Sequence, residues 1–182
     1  MSAPRLDAFA SSPVVPALDE PTRDQQVVDA VLRDIVWPDG GRTPFLYTHG
    51  KPLNVRIGGS SYLSASDLLY RYRTSDWTDL PEEVLPSLEL AAADLVARGR
   101  SRDARLASGD PRIRILGPDD QVDPWREGVV VEVLLPGYGL DCGVALVFVR
   151  VGLLLGSEDF TYVLTRSPTG WDIIVRQWRG HP

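Results

Sequence analysis

The run from Val144 to Val149 constrains the fold most, because every one of its positions is apolar. A β-strand directs alternate side chains to opposite faces of its sheet, so an unbroken apolar run is typical of a strand buried on both faces. The run is therefore predicted to be a central strand, or to have its second face covered by a helix or by a partner. The sequence leaves open what covers that second face.

The C-terminal part of the chain, residues 111–180, contains five β-rich runs. They are Arg112–Leu116, Gly128–Leu135, Val144–Val151, Phe160–Arg166 and Trp171–Trp178. Their connections are too short for helical crossovers, so neighbouring strands are predicted to be antiparallel. Alternation along the last run predicts one half-exposed face, formed by Asp172, Ile174, Arg176 and Trp178.

Helical patterns come before this sheet. Apolar residues recur at helical period from about Thr22 to Val36, with Thr22 as the predicted cap. A second helix is predicted to start at Ser64, and a third runs from Pro81 or Pro86 to Arg98. Two further short strands are predicted, Phe45–Tyr47 and Leu53–Ile57. Helices followed by a meander indicate an α+β fold, with N-terminal helices packed on a C-terminal antiparallel β-sheet of four to six strands.

The length of 182 residues suits one domain. We expect a flexible lead-in over residues 1–19 and a single α+β domain over residues 20–182. Its helical part spans about residues 20–110 and its sheet part about residues 111–180. The lead-in lacks the continuous apolar segment of a secretory signal, and Cys142 is the single cysteine, so we expect a cytoplasmic protein.

Charge and hydropathy limit the partners. The formal net charge of −6 opposes nucleic acid as a partner, because nucleic-acid affinity depends on neutralising phosphates. A binding segment for nucleic acid over residues 98–114, which contain clustered arginines, is the minor alternative. No stretch reaches the roughly 18 apolar residues of a membrane helix, so we expect no membrane partner.

Few residues offer catalytic or metal chemistry. Cys142 would need a histidine to act as a nucleophile, and only His49 and His181 exist. The two histidines show no metal-ligand spacing, so we expect no metal and no cofactor. In a pocket, His49, Asp76 and Tyr62 could converge to transfer protons, although each also suits a turn, a helix cap or the core.

Tryptophan and arginine residues provide a non-catalytic alternative. Trp77, Trp125 and Trp178 stand among polar residues, and Arg176 lies two positions before the last of them. Tryptophan and arginine are enriched at binding hot spots, so these four residues are the candidate binding residues. Each tryptophan could equally close the edge of its own core.

Two resemblances follow from the pattern of the C-terminal part. The segments Pro136–Leu140, Ala145–Val149, Gly156–Thr165 and Gly170–Trp178 resemble the C-terminal sheet of small uncharacterised bacterial α+β proteins, and Val27–Val36 is similar to their first helix. Those proteins usually carry several cysteines and a secretion signal, which this sequence lacks. The order of elements also resembles cone-shaped NTF2-like and cystatin-like domains, which implies a pocket between helices and sheet.

Two functions follow as expectations. The first is a non-enzymatic protein-binding module (an inhibitor, an immunity-type protein or an assembly protein) whose partner is another protein or, in a homo-oligomer, itself. The alternative is an NTF2-like small-molecule enzyme or binder. The alternative requires a deep cavity between helices and sheet, with His49 or an aspartate pointing inward. An interior filled by Trp171, Phe148 and leucines would oppose it.

Overall fold

A computed structural model describes residues 19–35, 43–47, 64–74, 80–99, 106–116, 128–153 and 156–180. The helices in these ranges are α1 (Glu20–Asp34), α2 (Ala65–Thr74) and α3 (Leu85–Arg98). The strands are β1 (Thr43–Tyr47), β2 (Arg114–Leu116), β3 (Gly128–Val133), β4 (Gly137–Tyr138), β5 (Val144–Leu153), β6 (Gly156–Ser167) and β7 (Gly170–Gly180). The predicted α+β class is confirmed, with the helices packed against the antiparallel C-terminal strands.

Helix α1 begins before the predicted position. Asp19 caps it, because its Oδ1 atom accepts a hydrogen bond from the backbone N–H of Thr22 at 2.9 Å. Hydrogen bonds from the side chain and the backbone of Thr22 lower the pKa of the Asp19 carboxyl. The prediction that Thr22 caps the helix is therefore wrong, since Thr22 donates to the cap instead of forming it. Pro21 occupies the first turn, where its missing N–H leaves no helical bond unmade.

Helices α2 and α3 start as their sequences predict. The Ser64 hydroxyl accepts from the backbone N–H of Asp67 at 3.1 Å and donates to the Asp67 carboxylate at 2.6 Å. A short 3₁₀ turn, Glu82–Val84, precedes α3, and Pro86 lies in the first turn of that helix. The sequence left Pro81 and Pro86 as alternative starts. The structure places the 3₁₀ turn directly after Pro81 and the start of α3 beside Pro86.

The sheet has the strand order β2-β1-β3-β5-β6-β7, and β4 pairs with β5 beside this path. Strands β3 to β7 pair in antiparallel fashion, as predicted for short connections. Strand β1 lies between β2 and β3 and is parallel to both, so the prediction of antiparallel neighbours is wrong for the run that forms β2. Helices α2 and α3 separate β1 from both neighbours in sequence, which gives the chain the crossover that parallel pairing requires. The predicted strand Leu53–Ile57 lies outside the described residues.

Helices cover both faces of β5. Ala145, Val147 and Val149 pack in a core with α1, whereas Leu146 and Phe148 pack in a second core with α2 and α3. All five side chains are fully buried. The face that the sequence left unassigned is therefore covered by this chain's own helices, and the domain has three layers.

Strand β4 approaches α3 closely enough to require glycine. A Cβ atom added at Gly137 would collide with the backbone of Ala91 and Leu95, and would lie 2.6 Å from the Leu95 Cβ atom. Neither backbone group can rotate away. The short strand β4 is thus fixed against α3, and this contact also fixes the position of Tyr138, the next residue of the strand.

Candidate functional site

Strand β7 forms one edge of the described sheet, where its neighbour among the described strands is β6. It carries two exposed apolar side chains, Ile174 at 37% and Trp178 at 51% exposure. An edge strand leaves backbone groups without a neighbouring strand, and exposed apolar side chains beside it are typical of an interaction surface.

Two β-bulges change the alternation along β7. Ile173 pairs with Leu164 and Val175 pairs with Val163, so Ile174 is an extra residue. A second register shift lies near the end of the strand and makes Arg179 another extra residue. Bulges add one residue to a strand, invert the following alternation and increase the local twist.

The predicted common face of Asp172, Ile174, Arg176 and Trp178 is wrong for this reason. Asp172 pairs with Thr165, whereas Arg176 pairs with Tyr162, and those two partners point to opposite faces of β6. All four side chains are exposed, but the bulge separates Asp172 from Arg176. Arg176 and Trp178 lie on the face that α1 covers.

Arg176 lies against two aromatic rings on that face. Its guanidinium carbon is 4.6 Å from the centre of the Phe160 ring and 5.9 Å from that of Tyr162, within the range of cation–π attraction. Its Nη1 atom is 3.5 Å from the Asp34 carboxylate at the end of α1. Trp178 pairs with Phe160 in the next position along this face. We call Arg176 and Trp178 the β7 surface.

Tyr162 forms a rigid base beneath Arg176. It is fully buried, and its hydroxyl has no hydrogen-bond partner among the described residues. Burial raises the pKa of Tyr162 well above its ordinary value, Arg176 opposes this rise, and Asp34 adds to it. The Tyr162 hydroxyl therefore stays protonated at neutral pH, and Arg176 lies beside a neutral ring.

The structure brings two predicted binding residues together, Arg176 and Trp178. The other predicted site residues lie outside the described ranges: Trp77 and Trp125 among the binding residues, and His49, Tyr62 and Asp76 among the pocket residues. The predicted convergence of that second group stays a prediction.

A buried charged network was missed by the sequence reasoning. The Asp24 carboxylate accepts two hydrogen bonds from the Arg98 guanidinium, at 2.6 and 3.1 Å, and one from the Tyr138 hydroxyl at 2.7 Å. Arg98 also donates to Glu20 at 2.7 Å and to the backbone carbonyl of Pro136. The network joins α1 to α3 and β4. Asp24 lies on the apolar stripe of α1, and this position is a signal that could have revealed a buried carboxylate.

Electrostatics inside the network favour the ion pair. Burial alone would lower the pKa of Arg98, but the hydrogen bond and charge of Asp24, with the charge of Glu20, raise it overall. Burial and the bond to Asp24 raise the pKa of Tyr138 far above its ordinary value. Arg98 thus stays charged and Tyr138 neutral, and the arrangement is structural.

Cys142 lies beside this network. It is half-buried, and the Arg23 guanidinium donates to its Sγ atom at 3.0 Å. Asp141 and Cys142 both have positive φ angles, 51° and 53°. Both histidines that could serve as its partner, His49 and His181, lie outside the described residues.

The space between helices and sheet is filled at the positions that the structure describes. Phe148, Leu146 and Leu164 are fully buried, and Trp171 is 7% exposed. A cleft of about 510 Å³ opens at the end of the sheet, between α1 and the β6–β7 turn, and Asp29 is among its lining residues. The NTF2-like alternative stays a prediction, since His49 lies outside the described residues.

Metal and membrane features are few in the described ranges. No group of three or more histidine, cysteine or acidic residues there is arranged to hold a metal ion. None of the helices in those ranges has both the length and the apolar character needed to cross a bilayer.

Comparisons of the chain with protein-family models, with curated proteins and with solved structures each find no match.

Proposed function

We propose that the chain is a non-enzymatic protein-binding module that holds its partner on the β7 surface. One observation carries the proposal: Arg176 and the half-exposed Trp178 lie side by side on an edge strand. Tryptophan and arginine dominate binding energies at protein interfaces when they project from a rigid, well-packed base. An inhibitor, an immunity-type protein or an assembly protein would each use such a surface.

The rigid base supports this function because it limits the cost of binding. Arg176 is held against the rings of Phe160 and Tyr162 before any partner arrives. A side chain that is already ordered loses less conformational entropy when a complex forms. The Arg176 Nη1 atom is 3.5 Å from the Asp34 carboxylate, a long distance for an ion pair. Several N–H groups of the Arg176 guanidinium are therefore left for a partner.

The chemistry of the β7 surface selects a partner that presents a carboxylate next to an apolar side chain. The carboxylate would pair with Arg176, and the apolar group would pack on Trp178. The two bulges disfavour continuous strand pairing along β7, since they twist an edge and interrupt its register. We therefore expect docking through side chains and not through extension of the sheet.

Site-specific photo-crosslinking in the source cells tests the location. A photo-reactive phenylalanine analogue replaces Trp178 in one variant and Leu90 in a control variant; Leu90 is 47% exposed on α3. We expect a discrete adduct from position 178 that position 90 does not give. An adduct of twice the chain's mass identifies the partner as a second copy. The same adducts from both positions, or none from position 178, would contradict the proposal.

Affinity measurements on the crosslinked partner then test the energetics. Trp178→Ala and Arg176→Ala are each expected to weaken binding by about 2 kcal/mol, or roughly 30-fold. Leu90→Ala is the matched control and should bind like the unmodified chain. Equal affinities for all three variants would refute the proposal.

A further inference from the structure

Two polar atoms beneath the β7 surface are buried without a hydrogen-bond partner among the described residues. They are the hydroxyl oxygen of Tyr162, which is fully buried, and the Oδ2 atom of Asp34, whose side chain as a whole is 38% exposed. A buried polar group without a hydrogen bond costs free energy, so each of the two requires an explanation. A hydroxyl can donate and a carboxylate oxygen accepts, so a single hydrogen bond would satisfy both atoms.

Arg176 lies next to both atoms. Its guanidinium is 3.5 Å from the Asp34 Oδ2 atom, and its guanidinium carbon is 5.9 Å from the centre of the Tyr162 ring. Burial is the main cause of the raised pKa of Tyr162; Arg176 lowers that pKa and the Asp34 carboxylate raises it. The three groups are therefore close neighbours, although no hydrogen bond of ordinary geometry joins Asp34 Oδ2 to the hydroxyl.

The place of Asp34 at the end of α1 makes its surroundings important. It is the last residue of the helix, where a carboxylate faces the negative end of the helix dipole. The nearby Arg176 guanidinium offsets this unfavourable position and attracts the carboxylate from one side. The Tyr162 hydroxyl offers a second position for the same carboxylate, and a rotation about the side-chain bonds of Asp34 moves the group without moving the helix.

We propose that Asp34 and Tyr162 form a hydrogen-bond switch that favours partners carrying a carboxylate. When such a carboxylate draws the Arg176 guanidinium to itself, the Asp34 carboxylate turns and accepts a hydrogen bond from the Tyr162 hydroxyl. The new bond replaces the contact that Asp34 gives up, and both buried atoms become satisfied. A partner without a carboxylate leaves Arg176 with Asp34 and gains nothing from Tyr162. This inference rests on the function proposed for the β7 surface, whereas its first test uses the chain alone.

A double-mutant cycle in the free chain tests whether the bond forms once the guanidinium is withdrawn. Arg176→Met imitates the withdrawal, because methionine still packs on the aromatic rings but carries no charge. In the unmodified chain, Tyr162→Phe is expected to leave the unfolding equilibrium constant unchanged or to lower it. In the Arg176→Met background, the same substitution is expected to raise that constant roughly fivefold or more, since it removes a hydrogen bond to a carboxylate. Urea unfolding measures all four chains.

Asp34→Ala is the control for this cycle. When it is added to Arg176→Met, the acceptor is gone and Tyr162→Phe should again have no destabilising effect. Equal effects of Tyr162→Phe in the unmodified chain and in Arg176→Met would overturn the proposal. A loss that persists after Asp34→Ala would also overturn it, because the hydroxyl would then donate to a different group.

Affinity for the crosslinked partner tests the role of the switch in docking. Tyr162→Phe should weaken that binding roughly fivefold, although Tyr162 is fully buried and lies too deep to touch a partner. In the Asp34→Ala background, Tyr162→Phe should cause no further loss of affinity. An unchanged affinity for Tyr162→Phe would overturn the switch, whereas an unchanged affinity for Trp178→Ala would instead refute the function proposed for the β7 surface.

Discussion

Asp24→Ala removes the central carboxylate of the buried network. The variant leaves the Arg98 guanidinium without its two-bond partner and the Tyr138 hydroxyl without its acceptor. The Arg98 and Asp24 side chains are only 13% and 11% exposed, so water cannot fully replace the lost contacts. Helix α1 would lose the buried part of its polar link to α3, while Glu20 would still contact Arg98.

The expected loss in the free energy of unfolding follows from this burial. Removing one partner of a buried ion pair destabilises a protein by about 3–5 kcal/mol, because the remaining charge is uncompensated. Glu20 still faces Arg98 at 2.7 Å and offsets part of that cost, which places the expected loss near 3 kcal/mol. For a domain of this size, the loss corresponds to a fall in Tm of roughly 6–12 °C.

Urea unfolding, followed by tryptophan fluorescence and far-ultraviolet circular dichroism, measures the loss. Glu20→Ala is the matched control, since Glu20 binds the same guanidinium but is 62% exposed; it should cost less than about 1 kcal/mol. Asp24→Ala combined with Arg98→Leu should recover part of the stability. A loss below about 1 kcal/mol for Asp24→Ala, or equal losses for Asp24→Ala and Glu20→Ala, would show that burial of the Asp24–Arg98 pair does not set its contribution to stability.

Three further predictions concern stability and titration. Gly137→Ala should destabilise by about 3 kcal/mol, because the new methyl group meets backbone atoms of α3; urea unfolding measures this. Tyr138→Phe should cost about 1.5–3 kcal/mol, whereas Tyr162→Phe should be nearly neutral or stabilising, since only the Tyr138 hydroxyl has a hydrogen-bond partner. Hydrogen bonds from the Arg112 side chain and backbone lower the pKa of Asp110 from 3.8 to about 2. Because the folded-state pKa is depressed, the stabilisation from this pair is complete above about pH 4 and is lost as the pH falls toward 2; carboxyl NMR titration measures the pKa.

Controls decide these three predictions. Gly143→Ala places a methyl group 3.7 Å from its nearest neighbour and should be tolerated, so equal losses at Gly137 and Gly143 would contradict the packing argument. A stability loss for Tyr162→Phe as large as that for Tyr138→Phe would show that the buried Tyr162 hydroxyl is satisfied. In Arg112→Ala the Asp110 pKa should return toward its ordinary value, and an unchanged midpoint would exclude the ion pair as the cause.

The layering of the fold could be predicted in part from β5. Its unbroken apolar run correctly indicated a strand buried on both faces, but it could not distinguish a second helical layer from a partner protein. Both coverings bury the same side chains, such as Leu146 and Phe148. The distinction depends on where α2 and α3 pack, which is a long-range property.

The candidate site shows a different limit. Arg176 and Trp178 were found from residue type and neighbours, and the structure places both on the edge strand. The prediction that they share a face with Asp172 was wrong, because the extra residue Ile174 inverts the alternation of side chains along β7. A bulge leaves no local signal in a strand of β-branched residues. Strand β1 likewise joins the sheet in parallel only because a helical crossover follows it.

Hydrogen exchange of the chain, alone and mixed with its crosslinked partner, tests whether the partner binds the β7 surface. We expect the partner to slow exchange in residues 170–180 and to leave exchange in α3 unchanged. Protection confined to α2 and α3, with exchange in β7 unaltered, would contradict it.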